Sequence, residues 1–246
     1  MMEAMILAAG VGERLRPLTE NAPKALVEVA GVPMLERVAR RLIDAGADRL
    51  IINVHHHADQ VEEYVRRRGG FGVEIRFSRE EEAPLETGGG LLEAAPLFER
   101  SQPFLLHNVD VISDADLAAM CGAHAERRPL ATLAVNRRDT TRPLLVDEHG
   151  FRGLANSRTG WRAEARKEVG RTEEIGFAGI HVLSPEIFEL ITERGRFSIM
   201  DAYLRLAEEG HAIETFDMSD ALWLEVGDPA RLANADAVMM SRPPRR

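Results

Sequence analysis

The run Leu7-Ala8-Ala9-Gly10-Val11-Gly12-Glu13-Arg14-Leu15-Arg16-Pro17-Leu18-Thr19, continued by Pro23-Lys24-Ala25-Leu26, joins an apolar segment to a glycine-rich loop carrying two arginines and then a lysine. Gly10 and Gly12 have access to backbone conformations closed to other residues, so main-chain N–H groups at this turn can be directed at an anion. Arg14 and Lys24 add charge that can follow the anion through a reaction. Together they read as a site for a triphosphate. The Walker A pattern G-x-x-x-x-G-K-[ST] does not occur in the chain. A dinucleotide fingerprint would place a third glycine where Leu15 stands and would open a helix directly, which Pro17 interrupts.

Outward from this loop, apolar runs alternate with amphipathic ones: strand-like at 4–9, 50–54 and 73–77, helix-like at 34–45 and 59–68. This alternation predicts βαβ units, an α/β fold and a mainly parallel sheet. Asp59 and Glu62 have capping-box spacing for the second helix. The run 103–111 reads as a buried strand whose far end turns polar at Asn108 and Asp110, and in open α/β sheets ligands collect at the carboxyl ends of strands. Ser113 and Asp116 predict a helix cap ahead of an apolar face formed by Leu117, Met120 and Cys121, followed by a strand at 130–135. From 137 to 174 the chain is polar, with Gly150, Gly153, Gly160 and Gly170 marking turns of a hairpin-rich region that returns to the core at 175–183. Ser184-Pro185 caps a predicted helix at 186–193, another helix covers 197–208, and strands follow at 213–216 and 222–226.

A chain of 246 residues with 45% hydrophobic content suits one large α/β domain. Its formal charge of −9 argues against general nucleic-acid binding, so the nucleotide is a small molecule. One cysteine, Cys121, forms no internal disulfide, and neither a signal peptide nor a spanning segment of roughly 20 apolar residues is present, which predicts a soluble cytoplasmic protein with no membrane partner. The end, 241–246, is expected to be a disordered tail because two prolines stop a helix. His55-His56-His57 lacks companion ligands at a fixed spacing and is read as a loop, and His107 as a core histidine.

The pattern L-A-A-G-x-G-x-R-x-x-P-L-T followed by P-K resembles the signature of sugar-1-phosphate nucleotidyltransferases. Gly31-Val32-Pro33-Met34 matches that family's G-x-P-[ML] helix start, and Glu86-Thr87-Gly88-Gly89-Gly90 is similar to the L-E-T-G-G-G segment of its shorter members, which include the N-acetylmuramic acid-1-phosphate uridylyltransferases. Ile175-Gly176-Phe177-Ala178-Gly179-Ile180-His181-Val182-Leu183 matches F-[AS]-G-I-x-V-L. The resemblance implies a Rossmann-like three-layer α/β/α fold of GT-A type, with one catalytic domain over 1–240 and an acceptor-sugar subregion at about 137–182. It further implies Mg²⁺ as cofactor, a nucleoside triphosphate and a sugar 1-phosphate as substrates, and a homo-oligomer as a common state. UTP with an N-acetylmuramic-acid-like hexose 1-phosphate is the favoured pair. GTP with a mannose-type acceptor, or a catalytically weak nucleotide-sugar-binding subunit, are the alternatives.

Carried onto this chain, the resemblance gives Arg14, Lys24 and Asp110 to catalysis, Arg14 and Lys24 on the phosphates and Asp110 also on the metal. Leu7, Ala8, Ala9, Gly10, Gly12, Glu13, Glu86, Thr87, Gly88, Gly89 and Asn108 form the nucleotide wall, with backbone amides expected to matter most at 86–89. The metal's second ligand falls in Trp223-Leu224-Glu225-Val226-Gly227-Asp228-Pro229, where Glu225 replaces the family's aspartate and Asp228 reads as an N-cap before Pro229. Val109 stands where many relatives have glycine. Glu174, Gly179 and Asn156 are the acceptor candidates, and the family's E-K-P segment is not recognisable around Asn156-Ser157-Arg158.

Overall fold

Alternation within the first strand sets the layering: Ala4 and Ile6 point into one hydrophobic cluster and Met5 into another, all fully buried. A strand covered on both faces must be apolar at every position, which is what 4–6 supplies. The computed structural model describes residues 2–165 and 171–242. Its strands are β1 (Met2–Leu7), β2 (Glu28–Val29), β3 (Val32–Pro33), β4 (Ala47–Val54), β5 (Glu74–Arg79), β6 (Phe104–Asn108) and β7 (Val111–Ser113). They continue as β8 (Ala131–Asn136), β9 (Leu144–Asp147), β10 (Gly150–Asn156), β11 (Trp161–Glu164), β12 (Glu173–Leu183), β13 (Ile213–Asp217) and β14 (Trp223–Glu225). The helices are α1 (Met34–Asp44), α2 (Ala58–Arg67), α3 (Glu86–Glu93), α4 (Leu117–Arg127), α5 (Ile187–Leu190), α6 (Ile199–Glu208) and α7 (Pro229–Ser241).

One sheet runs β11-β10-β9-β12-β6-β1-β4-β5, with β8 on β12 and β13 on β8. Strands β6, β1, β4 and β5 are parallel, as expected for the nucleotide half. The antiparallel strand β12 joins this half to the β9–β10–β11 meander of the expected acceptor region. Helices α1, α2, α4 and α7 cover one face through residues such as Val38, Leu42, Val61, Met120 and Ala235. Helices α3, α5 and α6 cover the other through Leu91, Ile187, Ala202, Tyr203 and Leu206. This is the three-layer α/β/α arrangement. No helix among the described residues is long and apolar enough to cross a membrane.

Several local expectations are corrected by tertiary contacts. Helix α2 starts from His57 in a left-handed conformation with no side-chain cap, because Asp59 is drawn to Arg79 on β5. Asp116 alone caps α4, through Ala119 N, while the Ser113 hydroxyl takes the Ala115 N–H. Ser184 does not cap the next helix: its hydroxyl donates to Pro129 O and faces His124. That helix is the short α5, and Ile191 leaves it extended and buried. Asp228 does cap α7, accepting from Arg231 N with Pro229 at N1. Ser241 closes α7 and Arg242 pairs with Asp114 at 2.6 Å, so order extends into the expected tail; 243–246, like Gly170, lie outside the described residues.

Candidate functional site

The glycine loop leaves the carboxyl end of β1, where Val109 N donates to Leu7 O at 3.1 Å. Its first amide, Ala8 N, donates to the buried Asn53 Oδ1 at 2.6 Å, which ties the loop to β4. Asn53 Nδ2 donates in turn to Glu80 Oε1 at 2.5 Å, and Glu80 Oε2 accepts Leu85 N at 2.7 Å, next to the start of α3. Burial holds the Glu80 carboxyl above its ordinary range. Of the two loop glycines only Gly12 uses a positive φ, +72°, which corrects the expectation for Gly10. A Cβ on Gly12 would stand 3.0 Å from Lys24 Cβ and from Thr19 Cγ2. Arg14 and Arg16 are exposed, and their guanidinium groups make no hydrogen bond or ion pair among the described residues.

Lys24 Nζ reaches Asp110 Oδ2 at 2.5 Å in a partly buried pair. Asp110 lies in the turn from β6 to β7, and its carbonyl accepts Val226 N at 2.8 Å. Because β14 pairs with β7 in the register Glu225 to Val111, Asp110 and Glu225 leave neighbouring strand ends. Glu225 Oε2 is held by Arg231, while Oε1 and Arg14 Nη2 lie 3.3 and 3.0 Å from the position of a Cβ on Gly227. Lys24 and Arg14 of the loop thus meet residues from two distant parts of the chain, Lys24 on Asp110 and Arg14 beside Glu225.

Whether this corner suits Mg²⁺ is decided by its donors. Among the described residues one oxygen of each carboxylate is engaged, by Lys24 or Arg231, the other is not, and Asn108 Oδ1, on the residue that lines the cleft with Asp110, is buried without a partner. Among the described residues no three His, Cys, Asp or Glu side chains cluster as a closed metal site. An all-oxygen, two-carboxylate set that leaves positions for water and phosphate is the kind Mg²⁺ takes, so the residues fit. In the three adjacent histidines, His55 Nδ1 contacts Glu80 O and His57 Nε2 contacts Glu20 O.

A cleft of about 340 Å³ opens between these ends, lined by Leu7, Ala9, Gly10, Lys24, Asn108 and Asp110 on one side and by Glu86, Thr87 and Ser198 on the other. Asn53, Glu80, Pro84 and Val109 complete it. Ala8, Gly12, Glu13, Arg14, Gly88 and Gly89 are outside this lining. A larger cavity, about 770 Å³, lies by Pro103, Leu130 and Ser184 at the opposite strand ends and holds none of these residues.

The amides of Gly88 and Gly89 donate to Phe197 O at 3.0 and 3.4 Å, which corrects the expectation that they are free for a ligand. These glycines are packing positions: a Cβ on Gly88 would fall 2.2 Å from the Phe197 ring, and one on Gly89 2.3 Å from Gly195 O. Thr87 Oγ1 accepts Ile199 N, and Glu86 pairs with Arg196 at 3.0 Å.

On the acceptor side Gly179 has φ +77°, and a Cβ there would stand 2.9 Å from Asn108 Nδ2. Asn156 does not point to a ligand: its Oδ1 accepts Arg158 N and Thr159 N and shapes the β10–β11 turn. Glu174 pairs with Arg162 at 2.7 Å on the exposed side of the meander. The side chain that the sequence reading missed here is Arg138. Its guanidinium lies over Trp223 at 4.1 Å and donates through Nη2 to Phe177 O at 2.8 Å, and Trp223 Nε1 donates to Ala178 O at 2.9 Å. Burial lowers its pKa, opposed by the Glu225 charge. Asn53 carried one signal, a polar residue near the end of an apolar strand; Arg138 carried none. Burial pushes His107 down to about 4 and Cys121 up to about 11, so at neutral pH one is an uncharged core group and the other a thiol without nucleophilic character.

A nucleotidyl transferase family profile matches residues 3–241. The chain is 34% identical over 242 residues to the N-acetylmuramate alpha-1-phosphate uridylyltransferase of Caulobacter vibrioides, covering 95% of each. It is 34% identical over 239 residues to the enzyme of the same name from Neisseria meningitidis, covering 96% of this chain and 98% of that one. A mannose-1-phosphate guanylyltransferase catalytic subunit beta from Xenopus tropicalis is 30% identical over 235 residues, which span 62% of its length. Among solved structures, a putative glucose-1-phosphate thymidylyltransferase from Bacillus anthracis superposes with TM-score 0.82 at 19% identity over 100% of this chain and 98% of that one, a likeness of fold.

Proposed function

The chain belongs to the nucleotidyl transferase family, as a sugar-1-phosphate nucleotidyltransferase, and on that premise we propose that it transfers a uridylyl group from UTP to an N-acetylmuramic-acid-like hexose 1-phosphate, with Mg²⁺ as cofactor. The observation that carries the reading is the convergence of the glycine loop, Lys24 and Asp110 on one cleft beside Thr87. Identity extending over nearly all of both uridylyltransferase relatives supports UTP and this acceptor; similarity to the mannose enzymes covers less of their length.

In the proposed reaction an oxygen of the sugar 1-phosphate attacks the α-phosphorus, a new P–O bond forms there, and the bond to the β-phosphate oxygen breaks to release pyrophosphate. No side chain needs to take a proton, so positioning and charge carry the rate. Arg14 and Arg16 have uncommitted guanidinium groups for the β- and γ-phosphates, and Lys24 is placed to stabilise charge at the α-phosphate. Asp110 and Glu225 would hold Mg²⁺, which when bound neutralises phosphate charge and aligns its oxygens. A pyrophosphate-release matrix of UTP, GTP, CTP, ATP and dTTP against a panel of sugar 1-phosphates, with Mg²⁺ and with EDTA, tests this. Turnover is expected with UTP and the muramic acceptor and none in EDTA. Preference for GTP with mannose 1-phosphate would overturn the specificity, and EDTA-resistant turnover the metal. Binding of nucleotide with no turnover of any pair would favour a regulatory subunit, a reading motivated by Glu225 and Val109.

A further inference from the structure

The turn that follows β4 and opens α2 grips the glycine loop at both of its ends. At the near end Asn53 Oδ1 accepts Ala8 N at 2.6 Å. At the far end His57 Nε2 donates to Glu20 O at 3.3 Å, and Gln60 Nε2 donates to Asn21 O at 3.0 Å. A carbonyl only accepts, so the proton sits on Nε2 and this bond persists whether the ring is neutral or charged. His57 is held at φ +55°, a left-handed backbone that is costly for a histidine, and it occupies the cap position of α2 without a side-chain cap bond. Its ring goes to the loop instead and packs against His56, with centroids 3.9 Å apart. Between the anchored ends, Thr19 Oγ1 closes the loop on Gly12 O at 2.8 Å and the fully buried Leu15 roots it in the core. Arg14 and Arg16 flank that root, and their guanidinium groups have no partner among the described residues. The backbone is thus tied down while the two charges are uncommitted, an arrangement that lowers the ordering cost of binding an anion.

We infer that His57 and Gln60 are positioning residues for the triphosphate: they hold the far end of the glycine loop so that Arg14 and Arg16 are presented to the phosphates before the nucleotide arrives. This rests on the proposed reading of the loop as the triphosphate site, and it gives the run of three histidines a mechanical role. The test compares the natural chain with His57→Gly, His57→Gln, Gln60→Ala and the double variant His57→Gly/Gln60→Ala. UTP affinity is read by calorimetry without acceptor, KM for UTP and for the sugar 1-phosphate by pyrophosphate release, and loop anchoring by trypsin cleavage after Arg14. Because Leu15 is buried, trypsin reaches that bond only when the loop lifts. Glycine suits the left-handed backbone, so His57→Gly removes the ring while Tm is held, and glutamine returns a donor at nearly the reach of Nε2. The Kd and KM of UTP are expected to rise about 2- to 5-fold for each single loss and about 5- to 25-fold in the double variant, with the acceptor's KM changed by less than about 2-fold, the scale of one or two hydrogen bonds. Cleavage after Arg14 should quicken in the same order, and His57→Gln should recover part of both effects. Equal losses for nucleotide and acceptor together with a lower Tm would overturn the inference and reassign the pair to the stability of α2. Quicker cleavage with unchanged UTP affinity would overturn it too, since the loop would then be held for some purpose other than the phosphates. A natural chain that binds no nucleoside triphosphate would instead remove the functional reading beneath it, whatever the cleavage shows.

Discussion

Replacing Asn53 with alanine probes how the phosphate loop is held. Asn53 is 2% exposed and makes two bonds, accepting Ala8 N at 2.6 Å and donating to Glu80 at 2.5 Å. Truncation leaves the Ala8 N–H buried without an acceptor, at about 1–3 kcal/mol, and removes a charged hydrogen bond from Glu80 worth about 1.5–3 kcal/mol. A loss of about 3–5 kcal/mol is expected, read by urea unfolding followed by circular dichroism. Release of the Ala8 peptide should also displace the loop and lower kcat/KM for the nucleotide by about 10- to 100-fold, the scale of an ångström's misplacement. Asn53→Asp separates the two bonds, since its carboxylate can still accept Ala8 N but now faces Glu80. Two carboxylates at that distance cannot both ionise, so the pair's folded pKa rises above its unfolded value. Stability is then retained below the unfolded pKa and lost as pH rises through the folded one: Asn53→Asp should be more stable at pH 5 than at pH 8 relative to the natural chain. A cost under about 1 kcal/mol for Asn53→Ala with unchanged KM, or a pH-independent Asn53→Asp, would refute the clasp.

Asp110→Ala should reduce turnover at least about 100-fold while unfolding stays cooperative; retained activity would sink its proposed role. Gly12→Ala must adopt φ near +72° against Lys24 and Thr19, at about 1–2 kcal/mol for the conformation alone, so a lower Tm with a raised nucleotide KM is expected, and a neutral variant would show that the loop has another resting form. Burial holds His107 at about 4 and His181 at about 3, against 6.5 unfolded. Their contribution is complete above pH 6.5 and is lost as pH falls toward 4, at about 1.4 kcal/mol per pH unit for each. Urea titrations should show this slope, and His181→Phe should lessen it by about one proton; the same slope in the variant would place the uptake elsewhere.

What was legible in the sequence is what neighbours in sequence determine. The strand–glycine–arginine run, α1 with Leu35, Val38, Ala39 and Leu42 on one face, and the Asp228-Pro229 cap each follow from a few consecutive residues. Where a long-range partner competes, local rules fail. Asp59 has capping-box spacing but is closer to an arginine of β5, and the amides of Gly88 and Gly89 meet a carbonyl more than a hundred residues away. Asn156 looked like a sugar ligand because it falls in the acceptor region, yet its own turn supplies both N–H groups that it binds. Glu80 and Arg138 were invisible, and Asn53 was marked only by its polarity at a strand end, for the converse reason. Each is an ordinary polar residue in its own segment and acquires meaning only from β1, α3 or Trp223 folded against it.

The distribution of cations suggests an order to binding. Among the described residues Asp110 and Glu225 each have a basic partner, Lys24 and Arg231, whereas the Arg14 and Arg16 side chains have none. In the proposed reaction an incoming triphosphate would therefore meet these arginines before it competes for any existing pair. On a protein of formal charge −9, that local concentration of exposed cations would, in the same proposed reaction, draw a polyanion to the loop. Lys24 is different: moving it onto a phosphate strips a partly buried carboxylate of its counter-charge, and breaking such a pair is costly unless another positive charge replaces it. Transfer of Lys24 to the nucleotide and recharging of Asp110 must therefore occur together, which is the electrostatic reason a cation such as Mg²⁺ belongs in the proposed reaction and the reason the arginines alone would bind a triphosphate without committing it to react.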